Sequence, residues 1–174
     1  MATPDTPASL EVRLHDLLGD QTAITVGTAE SCTGGNVAHK ITRIAGSSAY
    51  FLGGIVSYSN PVKHALLGVP EDVLENPGAV SEPCARAMAE GARRQLGTTL
   101  AVATTGIAGP GGATEYKPVG LVYIALAGDG ETVVEEHHFS GDREAVIAAS
   151  TQRALELLVG AAERLVVTLQ GGTS

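Results

Sequence analysis

TAITVGTAESCTGGNVAHKITRI, residues 22–44, decides the fold. Residues 22–28 are rich in β-branched side chains, AESCTGG at 29–35 holds the paired glycines of a tight turn, and Asn36 to Ile44 reads as a helix. Strand, turn and helix in that order are the repeating unit of an α/β sheet protein. Upstream, Ser9 is placed to cap a helix whose Leu10, Leu14, Leu17 and Leu18 fall on one face, with Gly19 as its stop. Downstream, FLGGIVSY at 51–58 reads as a second strand. NPVKHALLG then reads as a short helix opened by Asn60 and Pro61, with Lys63 in its first turn.

The pattern continues to the end of the chain. Ser81 caps a helix carrying Ala85, Met88, Ala89, Ala92 and Leu96, and TTLAVATTG is a short buried strand running into the loop IAGPGGATEYKP. Residues 119–127 and 131–139 are strands joined at GDGE, a hairpin signal. Asp142 caps a last helix reaching about Val167. Five strands with helices on both sides predict a three-layer α/β/α sandwich with a mixed, mostly parallel sheet. One domain is expected over 9–168, with flexible tails at 1–8 and 169–174.

Composition narrows the function. A chain of 174 residues with 44% hydrophobic and 17% charged residues is long enough for one well-buried core and needs no metal or disulfide to fold. No apolar run approaches the ~18 residues of a membrane span. The N-terminus MATPDTPAS lacks the features of a secretory signal, so a soluble, cytoplasmic protein is expected. A net charge of −8, with four Tyr, two Phe and no Trp, argues against a nucleic-acid binder. Cys32 and Cys84 lack the spacing of a zinc site or redox pair and read as buried thiols. Adjacent His137 and His138 on a strand point to opposite faces, so neither is assigned a metal. No metal and no organic cofactor is expected.

Three loops follow strands, where open α/β sheets bind ligands: AESCTGG, GSSAY with SYSNPVK at 46–63, and TTGIAGPGG at 104–112. The first and third resemble phosphate cradles, in which glycine lets backbone N–H groups approach an anion, although such turns are more often only turns. The middle loop holds serines and one of only three lysines, set against eight arginines. A serine hydroxyl needs a neighbouring base, and lysine serves when its pKa is lowered. From local sequence alone a solvated Lys63 and turn-capping Ser47 and Ser48 are the commoner outcome. Arg143 in the first turn of the last helix is a candidate phosphate contact, with a surface ion pair as its default.

AESCTGG, GSSAYFLGGIVSYSNPVKHALLGV, PGAVSEPCARAMAEGAR, TTGIAGPGGATEYKPVG and FSGDRE, in this order and spacing, closely resemble the C-terminal domain of the competence-damage-inducible protein family. Its stand-alone members are nicotinamide-nucleotide amidases. The resemblance spans roughly residues 9–168. It implies hydrolysis of the carboxamide of nicotinamide mononucleotide, a small-molecule nucleotide, to nicotinic acid mononucleotide and ammonia, by a serine assisted by lysine and tyrosine. Carried onto this chain, Ser48, Tyr58 and Lys63 match that motif. Glu30, Ser31, Thr33, Gly34, Thr105, Gly106, Gly109, Gly111 and Arg143 are the expected substrate contacts. Ser31 is the alternative nucleophile. Ala113 stands where the family commonly has glycine. The longer members' N-terminal domain, associated with pyrophosphatase activity, has no counterpart here, so that activity is expected to be absent. A homo-oligomer, with a dimer favoured, is expected, and neither nucleic acid nor membrane is a partner. The rival reading is a non-catalytic phosphate- or nucleotide-binding sensor module. A metal-dependent phosphohydrolase is disfavoured because the loops offer mainly Glu30 as a carboxylate.

Overall fold

The computed structural model describes residues 8–20 and 23–171. In chain order it contains α1 (Leu10–Leu18), β1 (Val26–Glu30), α2 (Asn36–Thr42), β2 (Phe51–Val56), α3 (Asn60–Leu67), the single turn α4 (Glu71–Val73), α5 (Glu82–Leu96), β3 (Leu100–Gly106), β4 (Leu121–Ala127), β5 (Val133–His138) and α6 (Arg143–Gly171). The five strands form one sheet in the order β2-β1-β3-β4-β5. β1 pairs in parallel with both β2 and β3, while β4 is antiparallel to β3 and β5. Four strands therefore run one way and one runs back, the expected mixed sheet.

Alternation along the strands sorts the core into two layers. Leu100 and Val102 on β3, with Val122, Ile124 and Leu126 on β4, pack against α1, α2 and α6. Ala101 and Ala103, with Ala125 and Ala127, face the other way and meet α5 and Leu67 of α3. Small side chains on that face let α5 lie close over the sheet. Branched residues fill the wider layer beneath α6.

Capping follows chemistry visible in the sequence. Ser81 Oγ accepts from the Cys84 N–H and Asp142 Oδ1 from the Ala145 N–H, satisfying donors at the starts of α5 and α6. Ser9 occupies the N-cap of α1 but its hydroxyl makes no capping bond. The strands β2, β3, β4 and β5 are shorter than expected by two or three residues, and three further differences concern β1, α6 and the segment before α5. β1 starts at Val26 rather than in the β-branched run before it, and Thr22 lies outside the described residues. Residues 169–171, expected in a tail, are the end of α6, whose apolar pattern Leu169 continues beyond Val167. Glu71 to Gly78 forms α4 and a wide irregular turn where no element was expected. By length and composition α6 is apolar enough to cross a membrane, which counting uninterrupted apolar runs overlooks; half of its apolar window is buried inside the domain.

Candidate active site

Lys63 occupies the second turn of an amphipathic helix whose inner face it shares with Leu67, one turn on. Pro61 stands in the first turn, where a missing N–H costs nothing, and starts α3 immediately after β2. The inner face of α3 crosses α5 at Gly91. A Cβ at Gly91 would lie 2.0 Å from the Leu67 carbonyl oxygen, so only glycine permits the crossing. The Lys63 side chain is consequently carried beneath the sheet end and is 2% exposed. Its Nζ donates to Ser31 Oγ at 3.0 Å and to the Ser57 carbonyl at 2.8 Å.

Ser31 arrives from a different element. It is the first residue after β1, where the chain leaves the sheet in a turn that requires left-handed backbone at Gly34 (φ 62°) and Gly35 (φ 100°). The Ser31 N–H still donates to the Thr104 carbonyl at 3.0 Å, extending the β1–β3 ladder by one bond. Glu30, the last residue of β1, turns away from this opening. Its buried carboxylate accepts from Thr33 Oγ1 at 2.6 Å and from the N–H groups of Gly35, Val37 and Ala38 at 3.0, 3.0 and 2.9 Å.

A cavity of about 260 Å³ opens over this pair. Ser31 and Lys63 form its floor, and Tyr58, Thr105, Gly106, Gly109, Gly111 and Arg143 line it. Arg143 spans the mouth, with Nη1 donating to the Gly109 carbonyl at 2.8 Å and Nη2 to the Tyr58 hydroxyl at 3.0 Å. Thr105 spends its hydroxyl proton on the Ala79 carbonyl at 2.7 Å, which ties the chain ahead of α5 to the end of β3. The Ile107 N–H donates to Leu121 O at 2.9 Å. Because bonded pairs alternate along an antiparallel ladder, the N–H of Gly106, opposite Val122, points away from β4 toward the Ser31 side.

Burial sets the protonation states. Desolvation lowers the Lys63 pKa below its ordinary value, and ionised Cys84 or Cys32 nearby would oppose that shift. Both thiols are themselves pushed up to about 11, chiefly by burial. At neutral pH both thiols are uncharged and so do not oppose the shift, which leaves the Lys63 ammonium easier to deprotonate than a solvated one. Among the described residues the cavity is lined by two cations, Lys63 and Arg143, and by no carboxylate, in a chain of net charge −8. That balance of charge suits an anion, and no cluster of His, Cys, Asp or Glu among the described residues is arranged to hold a metal.

Several expected contacts lie elsewhere. Ser48 is exposed in a short turn (Ser47–Ala49) before the start of β2 and shares a depression with His15, Asp16, Gly19 and Asp20. Lys63 lies beyond the opposite end of that strand, whose six residues span roughly 20 Å of extended chain, so the two are not brought together. The serine at the lysine is Ser31. Glu30 and Thr33 do not line the cavity because their oxygens are engaged with each other, with α2 and with Thr104. Gly34 faces a separate depression with Asn36, His39 and Glu144. The sequence reading missed Cys32, Asn60, Ala79, Val80, Ile107, Ala108 and Gly112, which also line the cavity. Asn60 at the opening of α3 was the one polar signal available; Ala79 and Val80 belong to the unrecognised turn before α5.

An α/β/α sandwich with an anion-suited crevice at the carboxyl ends of its parallel strands, floored by a lysine–serine pair, is the class that fold and site define. The model of the CinA C-terminal domain family matches residues 8–162, and the chain belongs to that family. It is 54% identical over 136 residues to a CinA-like protein of Syntrophus aciditrophicus and 51% identical over 135 residues to one of Geobacter sulfurreducens. Each alignment covers 78% of this chain but only 32% and 33% of the relative, so the chain spans about a third of the length of these relatives. Among solved structures, the competence/damage inducible protein CihA of Agrobacterium tumefaciens superposes with a TM-score of 0.82 at 40% identity, covering 92% of this chain and 98% of that one. A competence-damaged protein (CinA) superfamily protein from Klebsiella pneumoniae gives 0.83 at 33% identity, covering 89% and 96%.

Proposed function

We propose that this domain is an amidohydrolase that cleaves the carboxamide of nicotinamide mononucleotide to nicotinic acid mononucleotide and ammonia, with Ser31 as nucleophile and Lys63 as its base. The observation that carries the reading is the 3.0 Å bond between a buried, pKa-lowered amine and a serine hydroxyl on the floor of a cavity with no carboxylate lining among the described residues. In the neutral amine the direction of that bond reverses: Ser31 O–H donates to the Nζ lone pair while an N–H continues to hold the Ser57 carbonyl.

Attack of Ser31 Oγ on the carboxamide carbon passes the serine proton to Lys63. The resulting oxyanion is met by backbone donors, for which the Gly106 N–H is the best-directed candidate. The Lys63 ammonium then returns its proton to the departing nitrogen, the C–N bond breaks, ammonia leaves, and an acyl-Ser31 ester remains. Water, deprotonated by the same amine, hydrolyses the ester and restores both groups. Arg143 is the proposed phosphate partner: its guanidinium already spans the mouth between Gly109 and Tyr58, and a phosphate offers stronger charge-assisted bonds than either. Tyr58 therefore acts at the substrate end of the cavity, its phenol accepting from Arg143 rather than from Lys63. Two unbridged cysteines support a reducing, cytoplasmic setting.

Ammonia release from nicotinamide mononucleotide by the purified chain is the test. Binding of the nucleotide without release would replace the amidase with a sensor module.

A further inference from the structure

We infer that Glu30 is the positioning residue for the reaction: it holds Ser31 on Lys63 and makes no contact with substrate. The inference rests on Ser31 being the nucleophile and concerns what places it.

The turn that delivers Ser31 contains two glycines in left-handed conformation, which give it shape but no stiffness. Gly35, the N-cap of α2, has no side chain with which to cap the helix. Glu30 does so from the preceding strand. Its Oε2 takes the N–H groups of Gly35 and Val37, its Oε1 takes that of Ala38, and Oε2 also takes the Thr33 hydroxyl proton. With that proton committed, the 2.7 Å contact between Thr33 Oγ1 and Thr104 Oγ1 has Thr104 as donor. One carboxylate thus binds β1, the turn, the first turn of α2 and, through Thr33, β3. Ser31 lies inside this closed circuit, next in sequence to its centre.

The circuit also keeps the Glu30 carboxyl group off the Lys63 amine. Glu30 is 1% exposed and Lys63 is 2% exposed, and they stand on adjoining elements at one end of the sheet. A direct ion pair would fix the lysine as ammonium and remove its capacity to act as a base. Instead the carboxylate is satisfied by four uncharged donors and the positive end of α2, while the amine holds Ser31 and a carbonyl. A displacement of about 1 Å in a reacting group costs on the order of 10²-fold in rate, so the clamp matters to turnover rather than to affinity.

The experiment is Glu30→Gln, which keeps the shape but turns an acceptor into a donor facing N–H groups. The expected result is kcat for nicotinamide mononucleotide reduced about 100-fold, KM within about threefold, and an unmoved pH–rate limb. Thr33→Val should lose about tenfold in kcat while Thr33→Ser, retaining the hydroxyl, restores it; this pair serves if Glu30→Gln fails to fold. A normal kcat with only a lowered melting temperature would reduce Glu30 to a stabilising cap and overturn the inference. So would a loss confined to KM, which marks a substrate contact, or a displaced pH limb, which marks direct action on Lys63. Phosphonylation of Ser31 by a fluorophosphonate, followed by intact mass, is measured on the same proteins. If the unsubstituted chain is labelled but releases no ammonia, the substrate assignment fails, and the ratio of labelling rates still tests Glu30.

Discussion

Two serine-bearing turns flank β2 and its neighbour at opposite ends of the sheet. The Ser47–Ser48 turn lies before the first residue of β2, near His15 and Asp16 on α1, and leaves Ser48 in solvent. The Ser31 turn lies after the last residue of β1, and its serine is 8% exposed against a fully enclosed lysine. Both turns are glycine-assisted, and Ser48 is the nearer of the two to Lys63 in sequence. What separates them chemically is direction along the parallel strands. β1, β2 and β3 all end on the same rim, so whatever follows a strand is gathered at one crevice and whatever precedes it is sent to the other side. Distance along the chain is a poor guide to proximity in such a sheet.

The comparison can be broken most sharply at the serine itself. Ser31→Ala should lower kcat for nicotinamide mononucleotide on the order of 10⁴-fold or more, with binding still measurable by calorimetry. Lys63→Arg comes next: it keeps the cation but cannot take a proton, so a loss of about 10² to 10⁴ in kcat is expected with unchanged circular dichroism. Near-normal turnover in this variant would reduce the lysine to a charge.

The same amine fixes the pH dependence. Burial lowers its folded pKa below 10.5, and only the neutral form accepts the serine proton, so kcat should rise with pH through the lowered value and then level off. Between that value and 10.5 the unfolded chain holds more protons than the folded one, so this group's contribution to stability also rises with pH. A rate independent of pH from 5 to 9 would argue against Lys63 as the base.

Arg143→Ala sharpens the comparison at the substrate end. It should raise KM for the mononucleotide by about ten- to a hundredfold, the range of a charge-assisted hydrogen bond, while kcat changes little. Free nicotinamide, lacking the phosphate, should be indifferent to this change. The smallest effect is the most discriminating: Ser48→Ala, at an exposed turn on the far side, should leave kcat/KM within about twofold. A large loss there would restore Ser48 as nucleophile and require a rearrangement of β2.

Most of the layer architecture was legible because it is written in local periodicity. The β4–β5 hairpin around Asp129 and Gly130, the alanine-rich face of α5 behind Ser81, and the branched strand ending at Gly106 each announce themselves within ten residues. The lysine–serine pair does not, because Ser31 and Lys63 are 32 positions apart and meet only through β1–β2 pairing. Glu30 was harder still. Three of its partners are backbone N–H groups, which any sequence supplies, so nothing distinguishes a clamping carboxylate from one that greets a ligand. The wall formed by Ala79 and Val80 was hidden for another reason: PEDVLENPGAV carries turn residues without periodicity, and Thr105 fixes its place from another element.

The crossing of α3 over α5 at Gly91 has a consequence for how this domain tolerates change. Lys63 and Leu67 are one helical turn apart on a common face, so anything that lifts the Leu67 carbonyl off α5 also lifts the amine from its serine. Even a methyl group at position 91 demands such a lift, because its nearest neighbour is rigid backbone. In a deep mutational scan read by activity, Gly91 should therefore score with Ser31 and Lys63 as intolerant, although it carries no functional group and meets no ligand. In this domain, the spacing of two helices acts as the gauge to which the lysine–serine contact is set.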